Sequence, residues 1–443
     1  MVQDLTVGKS SKVLLKFTLP MFASMIFQQF YNIADTLIAG RFAGENALAA
    51  VGASYPITNI FNAIAFGCNI GCSVVISQYF GAKKYEKVKT AASTSLISCA
   101  ALGSIITVVG LLLTPFLMKA IDTPKNIFSD SSLYLAIYIG GFVFLFLYNI
   151  ANGIFTSMGD SKTPLYFLMF SSVFNVVLDY IAVVCFKMGV SGVAWATFIA
   201  QGVAGILSFI TLLKRLKKLQ TDGKSEKFSV YILKRICRIS IPSILQQSFV
   251  SVGNVFIQKL INGFGSSVIA GFSASMKLNT FTINALYTFG NGVSGFTAQN
   301  VGAKKINRIK EGMKYGSYMA IATGVVFAAV YFFFNENLML LFMDNGNNAE
   351  AVQSGAEFLK IVSPFYCFIG IKLVGDGVLR GTGSMKLFMV ATFTDLILRV
   401  VLAYILSPFM GYCGIWVSWP IGWTAATVLS IIFYLKTIKK QVI

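Results

Sequence analysis

Apolar stretches of about twenty residues follow one another along the whole chain, separated by short polar segments. A helix of this length crosses a hydrocarbon core of about 30 Å. The predicted spans are 14–40, 48–79, 92–118, 133–158, 164–186, 190–213, 239–262, 267–299, 315–343, 354–379, 386–407 and 412–435. The pattern therefore predicts an all-α integral membrane protein with twelve transmembrane helices and no separate soluble domain.

The composition agrees with this prediction and excludes an ordinary soluble protein. Of the 443 residues, 56% are hydrophobic and only 12% are charged. The mean hydropathy is +0.73. The first span is too long and too polar at its centre for a cleaved signal peptide, so we expect it to remain in the mature protein.

The net charge of +19 is distributed unevenly between the predicted loops. Lysine and arginine concentrate in the segments 9–16, 83–89, 214–238, 304–314, 380–386 and 436–440, and the intervening loops hold few of them. This alternation follows the positive-inside rule and predicts that both termini are cytoplasmic. The basic charge therefore indicates membrane topology and not a nucleic-acid partner.

Cysteine and histidine usage limits the possible chemistry. The seven cysteines lie almost all inside predicted spans, where we interpret them as small packing residues. The chain has no histidine, which argues against a metal centre and against a histidine proton relay. No cofactor is expected.

The chain contains an internal duplication. Three segment pairs align: 71–91 with 292–312 at an offset of 221, Pro20 with Pro242 at 222, and 174–181 with 398–405 at 224. Both halves are predicted to start in the cytoplasm, so they are parallel repeats related by an axis along the membrane normal. The predicted domains are an N-terminal six-helix lobe (1–213), a cytoplasmic linker (214–238) and a C-terminal six-helix lobe (239–443). Two such bundles around a central cavity are typical of an alternating-access transporter.

The informative residues are those at which the halves differ. Four polar residues of the first half align with different residues of the second: Asp35 with Ile257, Asn175 with Arg399, Asp179 with Ala403 and Thr197 with Trp419. A packing requirement common to both lobes would leave similar residues in both. The two intramembrane acids are therefore candidates for chemistry that only the first half performs.

Asp35 lies inside the first span, on a helical face that it shares with Gln28 and Asn32. A charged side chain near the centre of a bilayer costs roughly 2.5 to 3.5 kcal/mol, so an acid there indicates function. The alternative is an aspartate at a helix end that is simply hydrated. The absence of an acid at the aligned position Ile257 favours the functional interpretation.

These four residues would offer two carboxylates, an amide carbonyl and a hydroxyl, which are oxygen ligands for a proton or a hard cation. Two carboxylates in a low-dielectric pocket cannot both be charged cheaply. One is expected to hold a proton near neutral pH, unless a cation such as Na⁺ takes its place. The sequence thus predicts a coupling site for H⁺ or Na⁺ at Asp35, Asn175, Asp179 and Thr197, and the same oxygens serve either ion.

The motifs around these residues resemble those of the multidrug and toxic compound extrusion (MATE) family over nearly the whole chain. The similar segments are LPMFASMIFQQFYNIADTLIAGRFAGENALAAVG (19–52), SQYFGAKK (77–84), FTSMGDSKTP (155–164), FNVVLDY (174–180), GVSGVAWATFIAQ (189–201), AQNVGAKK (298–305) and GVLRGTGSMK (377–386). In the DinF-like and archaeal branch, the positions that match the four residues above form the cation site. The resemblance implies the same site here.

The resemblance also implies that Pro20 is a hinge at which the first helix bends, which fits the N–H that proline lacks. The alternative is a proline at a helix start. In the NorM-like branch, acids also occur in spans seven and ten. Here span seven has Gln258 and Lys259, and Asp376 in span ten does not have the expected spacing. The sequence therefore does not match a second-half site of that kind.

Further polar residues inside the spans are candidates for the substrate cavity: Gln28, Asn32, Asn62, Asn69, Gln201, Lys277, Thr280, Asn284, Asn291, Asp376 and Arg399. The competing interpretation is hydrogen bonding between helices. Two pairs, Lys372 with Asp376 and Asp395 with Arg399, are four residues apart, so we expect each to neutralise itself on one helix.

The leading hypothesis is a secondary antiporter that exports amphipathic or cationic organic compounds in exchange for H⁺ or Na⁺ by alternating access. A lipid-linked saccharide flippase of the same superfamily, a membrane-embedded enzyme and a channel are the alternatives. An enzyme is disfavoured because there is no histidine, metal cluster or nucleophile beside a base. The sequence contains no nucleotide-binding motif, so ATP is not expected to be the energy source. We expect the substrates to be small organic compounds and the protein to lie in the lipid bilayer of the cell membrane. No nucleic-acid partner is expected, and the expected oligomeric state is a monomer.

Overall fold

The computed structural model describes residues 3–221, 223–343 and 349–442. Its helices are α1 (Ser10–Ile38), α2 (Glu45–Gly81), α3 (Tyr85–Ala120), α4 (Phe128–Gly140), α5 (Phe142–Ser157), α6 (Lys162–Tyr180), α7 (Gly189–Lys218), α8 (Val230–Asn262), α9 (Ser266–Gly302), α10 (Ile306–Phe333), α11 (Asn335–Leu340), α12 (Ala349–Val362), α13 (Tyr366–Gly381), α14 (Met385–Met410) and α15 (Tyr412–Val442). Every predicted span falls on these helices, which confirms the all-α fold class.

Nine helices of the described chain are long and apolar enough to cross a membrane. The pair α4 and α5, bent by 44° where they meet, would form a tenth span. Helices α8 and α9 are of similar length, with 33 and 37 residues, but carry more polar side chains. The chain is a multi-pass membrane protein.

The described chain forms two compact units. Unit 1 comprises Met1–Asp4 and Leu19–Ile244, and unit 2 comprises Leu5–Thr18 and Leu245–Ile443. Two helices contribute to both units: α1 changes unit two residues before Pro20, and α8 changes unit two residues after Pro242. The predicted domain limits at 213 and 239 stay predictions. By contacts, the predicted linker region belongs to unit 1.

Hydrogen bonds between side chains of unit 2 and main-chain groups of Leu5 and Thr6 explain why the segment before α1 belongs to unit 2. The Leu5 N–H donates to Gln299 Oε1 at 2.9 Å, and the Leu5 carbonyl accepts from Asn300 Nδ2 at 3.3 Å and from Arg308 Nη2 at 3.0 Å. Lys305 Nζ donates to the Thr6 carbonyl at 2.8 Å. Side chains at the junction of α9 and α10 thus satisfy backbone groups that have no helical partner.

The segment before α8 is attached to unit 1 in a similar way. The N–H groups of Glu226 and Ser229 donate to the hydroxyls of Thr90 and Thr94 on α3, at 3.1 and 3.0 Å. Close packing continues along α8, because a side chain at Gly71 of α2 would collide with Ser240. Small residues allow this approach of membrane helices.

Pro20 lies well inside α1, eleven residues after Lys9, so it is not a helix-start proline. Proline removes a backbone N–H and leaves the carbonyl one turn earlier without its helical donor. On the other side, Ser24 Oγ donates to the Pro20 carbonyl at 2.9 Å. The structure therefore favours the interior, hinge-compatible position over the alternative.

Candidate functional site

The two intramembrane acids lie in unit 1, near the ends of the helices that carry them. Asp35 is in the last turn of α1, and Asp179 is the penultimate residue of α6. Each helix continues directly as a π turn, Ala39–Ala43 after α1 and Ile181–Cys185 after α6, and the two π turns contact each other. Turns of this kind inside helical segments are frequent at functional sites.

The two carboxyl groups lie close enough to interact electrostatically with each other. Asp179 is 0% exposed, and neither of its oxygens has a hydrogen-bond partner among the described residues. Asp35 Oδ1 is also buried without such a partner. In the described chain, no lysine or arginine forms an ion pair with either acid. A buried carboxylate with neither a donor nor a cation is costly, so this pair favours binding a positive charge.

The other two predicted coupling residues complete the surroundings of the pair. Asn175 is one turn before Asp179 on α6, is buried, and has no partner for its amide nitrogen or oxygen within the described chain. Thr197 of α7 is 9% exposed. Its side chain lies near Tyr31, which is one turn before Asp35. Helices α1, α6 and α7 thus bring the four predicted residues together.

Two tyrosines belong to this site although the sequence did not single them out. Tyr31 and Tyr134 of α4 each interact electrostatically with both acids, and Tyr31 also lies near Thr197. The spacing of four residues between Tyr31 and Asp35 is a signal that could have found the first tyrosine. Nothing in the sequence connects α4 with the acids. A phenol hydroxyl can donate to a charged carboxylate and accept from a protonated one.

This arrangement can take up either a proton or a small metal cation. A shared proton would let one carboxyl group donate to the other. A sodium ion would need several oxygen ligands, which the two acids, the Asn175 amide and the Thr197 hydroxyl could offer. Among the described residues, no group of three or more His, Cys, Asp or Glu could hold a metal ion. A sodium ion would therefore depend on the neutral oxygens.

The polar cavity candidates of unit 1 fall into two groups. Asn62 accepts from the Tyr138 hydroxyl at 3.3 Å, and Asn69 Nδ2 donates to the Asn149 carbonyl at 2.7 Å. These two asparagines therefore join helices, as the competing interpretation expected. Gln28 and Asn32 are exposed on α1, and Gln201 is half-buried on α7.

Four of the predicted cavity candidates lie on α9 in unit 2. Lys277 and Thr280 are exposed and Asn284 is half-buried. The Lys277 ammonium lies 5.9 Å from the centre of the Phe342 ring. Asn291 has a structural partner, because Arg380 Nη2 donates to its side-chain oxygen at 3.1 Å.

Asp376 is buried inside unit 2 and paired. Lys372 Nζ lies 2.7 Å from Asp376 Oδ2, which confirms the predicted ion pair on α13. Ser430 Oγ donates to the other carboxylate oxygen at 3.4 Å. Both charged side chains are about 3% exposed, so this aspartate is held by its own helix.

The predicted ion pair between Asp395 and Arg399 is wrong. Asp395 Oδ1 and Arg399 Nε have no hydrogen-bond partner in the described chain. Instead, the Arg399 guanidinium carbon lies 4.2 Å from the ring centre of Trp419 on α15. The indole face attracts the cation and fixes its position, and a spacing of four residues cannot foresee this contact. Arg399 is a buried group of unit 2.

Comparison with known proteins places the chain in a family. The MatE family model matches residues 20–181 and 242–405, once in each half. These matches cover more than half of the chain, which therefore belongs to the MatE family. Their limits repeat the offsets between Pro20 and Pro242 and between the segments that end at 181 and 405. The protein is a membrane transporter and not an enzyme.

Two relatives from Bacillus subtilis (strain 168) are similar over almost their whole length. The probable multidrug resistance protein YoeA is 25% identical over 435 residues, which is 96% of this chain and 93% of the relative. The probable multidrug resistance protein YpnP is 26% identical over 432 residues, which is 97% of this chain and 96% of the relative.

Solved structures show the same fold at low sequence identity. A MOP superfamily transporter from Pyrococcus furiosus, with a binding pocket of reverse polarity, is 23% identical with a TM-score of 0.93. Crystal structures of MATE in the straight and bent conformations, each 23% identical, give TM-scores of 0.92 and 0.90. Each likeness covers 99% of this chain and 98% of the solved one.

Proposed function

We propose that this transporter is a secondary antiporter that exports amphipathic organic compounds in exchange for inward H⁺ or Na⁺. The observation that carries the proposal is the pair of carboxyl groups in unit 1, where Asp179 is buried and Asp35 is half-buried with its Oδ1 shielded from solvent. No lysine or arginine of the described chain neutralises them through an ion pair. A site of this kind gains a cation from one side of the membrane and must lose it before it is reset.

The coupling acts through α1. Binding of a cation removes the repulsion between Asp35 and Asp179, and its release restores that repulsion. Pro20 weakens the hydrogen-bond ladder of α1, so the helix can bend there. Because α1 contributes to both units, a bend at Pro20 changes contacts in both. The existence of MATE structures in straight and bent conformations supports this sequence of events.

Relatives named multidrug resistance proteins support organic compounds as the substrates. Exposed polar groups are candidates for substrate contacts in each unit taken by itself: Gln28 and Asn32 on α1 in unit 1, and Lys277 on α9 in unit 2. The acids of unit 1 favour compounds that carry a positive charge. The alternation of basic loops supports a cell-membrane location with both termini in the cytoplasm. We propose that the monomer is the working unit.

The test uses the purified full-length protein in liposomes. Uptake of a fluorescent lipophilic organic cation is followed after a pH gradient or a Na⁺ gradient is imposed separately. One of the two gradients should drive uptake against the substrate gradient, and that gradient identifies the coupling ion. Transport that follows only the substrate gradient and ignores both ions would overturn the antiporter proposal. Absence of any movement of the cation would also count against the proposal.

A further inference from the structure

One side of α9 in unit 2 is polar, whereas the matching side of α2 in unit 1 is mostly apolar. The polar residues of α9 are spaced three and four apart, which places them on one side of the helix. They are Lys277, Thr280, Asn284, Tyr287 and Asn291, here called the polar face of α9. At the repeat offset of 221, the corresponding residues of α2 are Pro56, Asn59, Ala63, Phe66 and Ile70. Since a packing requirement common to both halves would leave similar residues in both, the polar face indicates chemistry specific to unit 2.

The polar face begins at an exposed cation and ends at a buried one. Lys277 and Thr280 are exposed, and the other three residues of the face are half-buried. At its inner end the face meets Arg380 of α13. Arg380 donates from Nη1 to the Tyr287 hydroxyl at 2.9 Å and from Nη2 to Asn291 Oδ1 at 3.1 Å. The residue of unit 1 that aligns with Arg380 is a threonine at position 156, so this guanidinium is also specific to unit 2.

Arg380 reaches the polar face because α13 and α9 approach each other closely through glycines. A side chain at Gly290 of α9 would collide with the Leu373 carbonyl of α13, and a side chain at Gly377 would collide with the Gly290 carbonyl. Small residues permit this approach of membrane helices. The position of the guanidinium beside α9 is therefore fixed by the backbones of the two helices.

The guanidinium of Arg380 is buried without an acidic partner. The side chain is 1% exposed, its Nε has no hydrogen-bond partner within the described chain, and none of the ion pairs found there includes it. Asp376, one turn earlier on α13, is paired with Lys372 at 2.7 Å. The partial negative charge at the C-terminal end of α13 offsets only part of the positive charge. Both hydrogen-bond acceptors that Arg380 has on α9 are neutral, so the cluster is a preformed place for an anion.

The surroundings of Arg380 fit a planar anion that is attached to an apolar body. A guanidinium matches a carboxylate in geometry and can bind it through two parallel hydrogen bonds. The rings of Tyr287 and Phe388 lie 5.1 and 5.7 Å from the guanidinium carbon and supply apolar contact area. A carboxylate would replace the neutral oxygens of the half-buried Tyr287 and Asn291 as the acceptor, because hydrogen bonds between charged groups are stronger.

We propose that Arg380 and the polar face of α9 form a binding site in unit 2 for the carboxylate group of an organic compound. Lys277 lies inside the predicted span 267–299, where exposed charges face water and not lipid. Its ammonium attracts the anion to the face, and Arg380 binds it at the inner end. In calling this compound a substrate, the inference rests on the proposed function. It adds a class of substrate that the acids of unit 1 do not select.

The experiment measures equilibrium binding to the purified full-length protein in nanodiscs of zwitterionic lipid, without any ion gradient. The probes are radioactive 2-naphthoate and its neutral analogue 2-naphthylmethanol, and empty nanodiscs give the background. The wild type should bind naphthoate about 10- to 100-fold more tightly than the alcohol, as expected for hydrogen bonds to a charged group. R380Q should lose this preference, and R380K should keep more of it than R380Q. Equal affinity of the wild type for both probes would overturn the proposal.

Matched variants separate the site from a general effect of charge. Arg399 is another buried arginine of unit 2, and R399Q should keep the preference for naphthoate. K277Q should weaken naphthoate binding several-fold, whereas K360Q, the same change at an exposed lysine of α12, should not. If R399Q and K360Q reduce the preference as much as R380Q and K277Q, the anion responds to net charge and the assigned site is wrong.

A second variant covers the case in which R380Q does not fold. Asn284→Asp keeps the size of a half-buried side chain on the polar face and adds a negative charge, so it should weaken naphthoate binding and leave the alcohol unaffected. Unchanged naphthoate binding in N284D would count against the site. Displacement of naphthoate by an equal concentration of inorganic phosphate would overturn the assignment to an organic carboxylate. Because no gradient is imposed, these results do not depend on the coupling ion, and failure of the antiporter proposal would leave them unchanged.

Discussion

Helices α1 and α8 occupy the same place in the two repeats, and they differ where the chemistry is. Both carry an interior proline, Pro20 or Pro242, and both contribute to the two units. Near its end α1 has Asp35 and continues as a π turn. At the matching position α8 has Ile257, which is buried, and α8 ends at Asn262. Within the described part of unit 2, no π turn occurs.

The differences between α1 and α8 distinguish the features that allow a helix to bend from the features that bind the coupling ion. Both helices have an interior proline and both contribute to the two units, so we attribute these features to the movement of the duplicated fold. The acid and the π turn occur in only one of the two helices, so we attribute them to ion coupling. A cation can therefore act directly on α1, whereas α8 has no acidic residue of its own.

The largest expected effect comes from neutralising one acid of unit 1. Asp35→Asn and Asp179→Asn should each reduce gradient-driven uptake in liposomes to the level of protein-free liposomes, because one carboxyl group no longer carries charge through the cycle. The matched control is Asp122→Asn, the same change at an exposed loop position, which should keep wild-type uptake. Wild-type uptake in D35N or D179N would show that coupling does not depend on this pair.

The second effect is on stability, and the two units should respond in opposite ways. Lys372→Met leaves Asp376 buried without its cation, which should cost about 3 to 5 kcal/mol of unfolding free energy. The double variant K372M/D376L should recover most of this loss. In unit 1, D179N should leave stability unchanged or higher, because it removes one of two adjacent acids. Thermal unfolding in detergent measures all three, and a loss in D179N as large as in K372M would give the acids of unit 1 a structural role.

Much of the fold could be predicted because it depends on periodic apolar patterns. The spans, the duplication and the pair of Lys372 with Asp376 all follow from spacing along one segment. The π turns after Asp35 and Asp179 could not be predicted in this way, because one additional residue in a turn leaves the apolar pattern nearly unchanged.

Site residues could be predicted where the two repeats differ at aligned positions. They could not be predicted where their role depends on contacts between different helices. Asp35 and Asp179 stood out because Ile257 and Ala403 replace them. Tyr134 did not, because its helix has no spacing relation to α1. The pairing of Asp395 with Arg399 was predicted wrongly because spacing reports only partners on the same helix, and Trp419 lies on α15. That α1 and α8 each contribute to both units could not be predicted for the same reason.

The loop between α5 and α6 of unit 1 contains an ion pair, whereas the aligned residues of unit 2 are uncharged. The Asp160 carboxylate accepts from the Thr163 N–H at 3.1 Å and from its hydroxyl at 2.7 Å, and it forms an ion pair with Arg215. In unit 2, the aligned residues are Ser384 and Thr437, whose hydroxyls are 3.4 Å apart. Burial raises the pKa of the Asp160 carboxyl, but the bonds from Thr163 and the charge of Arg215 outweigh it and hold the pKa below its usual value.

Because the pKa is lower in the folded state, charged Asp160 stabilises the fold. This stabilisation is complete above the unfolded pKa of about 3.9 and is lost as the pH falls through the folded pKa. Asp160→Asn should therefore cost about 1.5 to 3 kcal/mol at pH 7, and Ser384→Ala about 0.5 to 1.5 kcal/mol. Thermal unfolding between pH 3 and pH 7 should show the D160N deficit shrinking below about pH 4. The S384A deficit should be independent of pH, and a constant D160N deficit would contradict the ionic assignment.

The smallest effect tests the comparison of α1 with α8 directly. Pro20→Ala restores a backbone N–H that can bond to the carbonyl one turn earlier, so it should straighten and stiffen α1. Gradient-driven uptake should then fall several-fold, with turnover and apparent affinity changing together, as is typical of hinge residues. Pro242→Ala makes the same change in a helix without an acid, so it should reduce uptake less. If both variants lose uptake equally, bending of α8 is as closely coupled to the ion as bending of α1, and the division between mechanics and coupling does not hold.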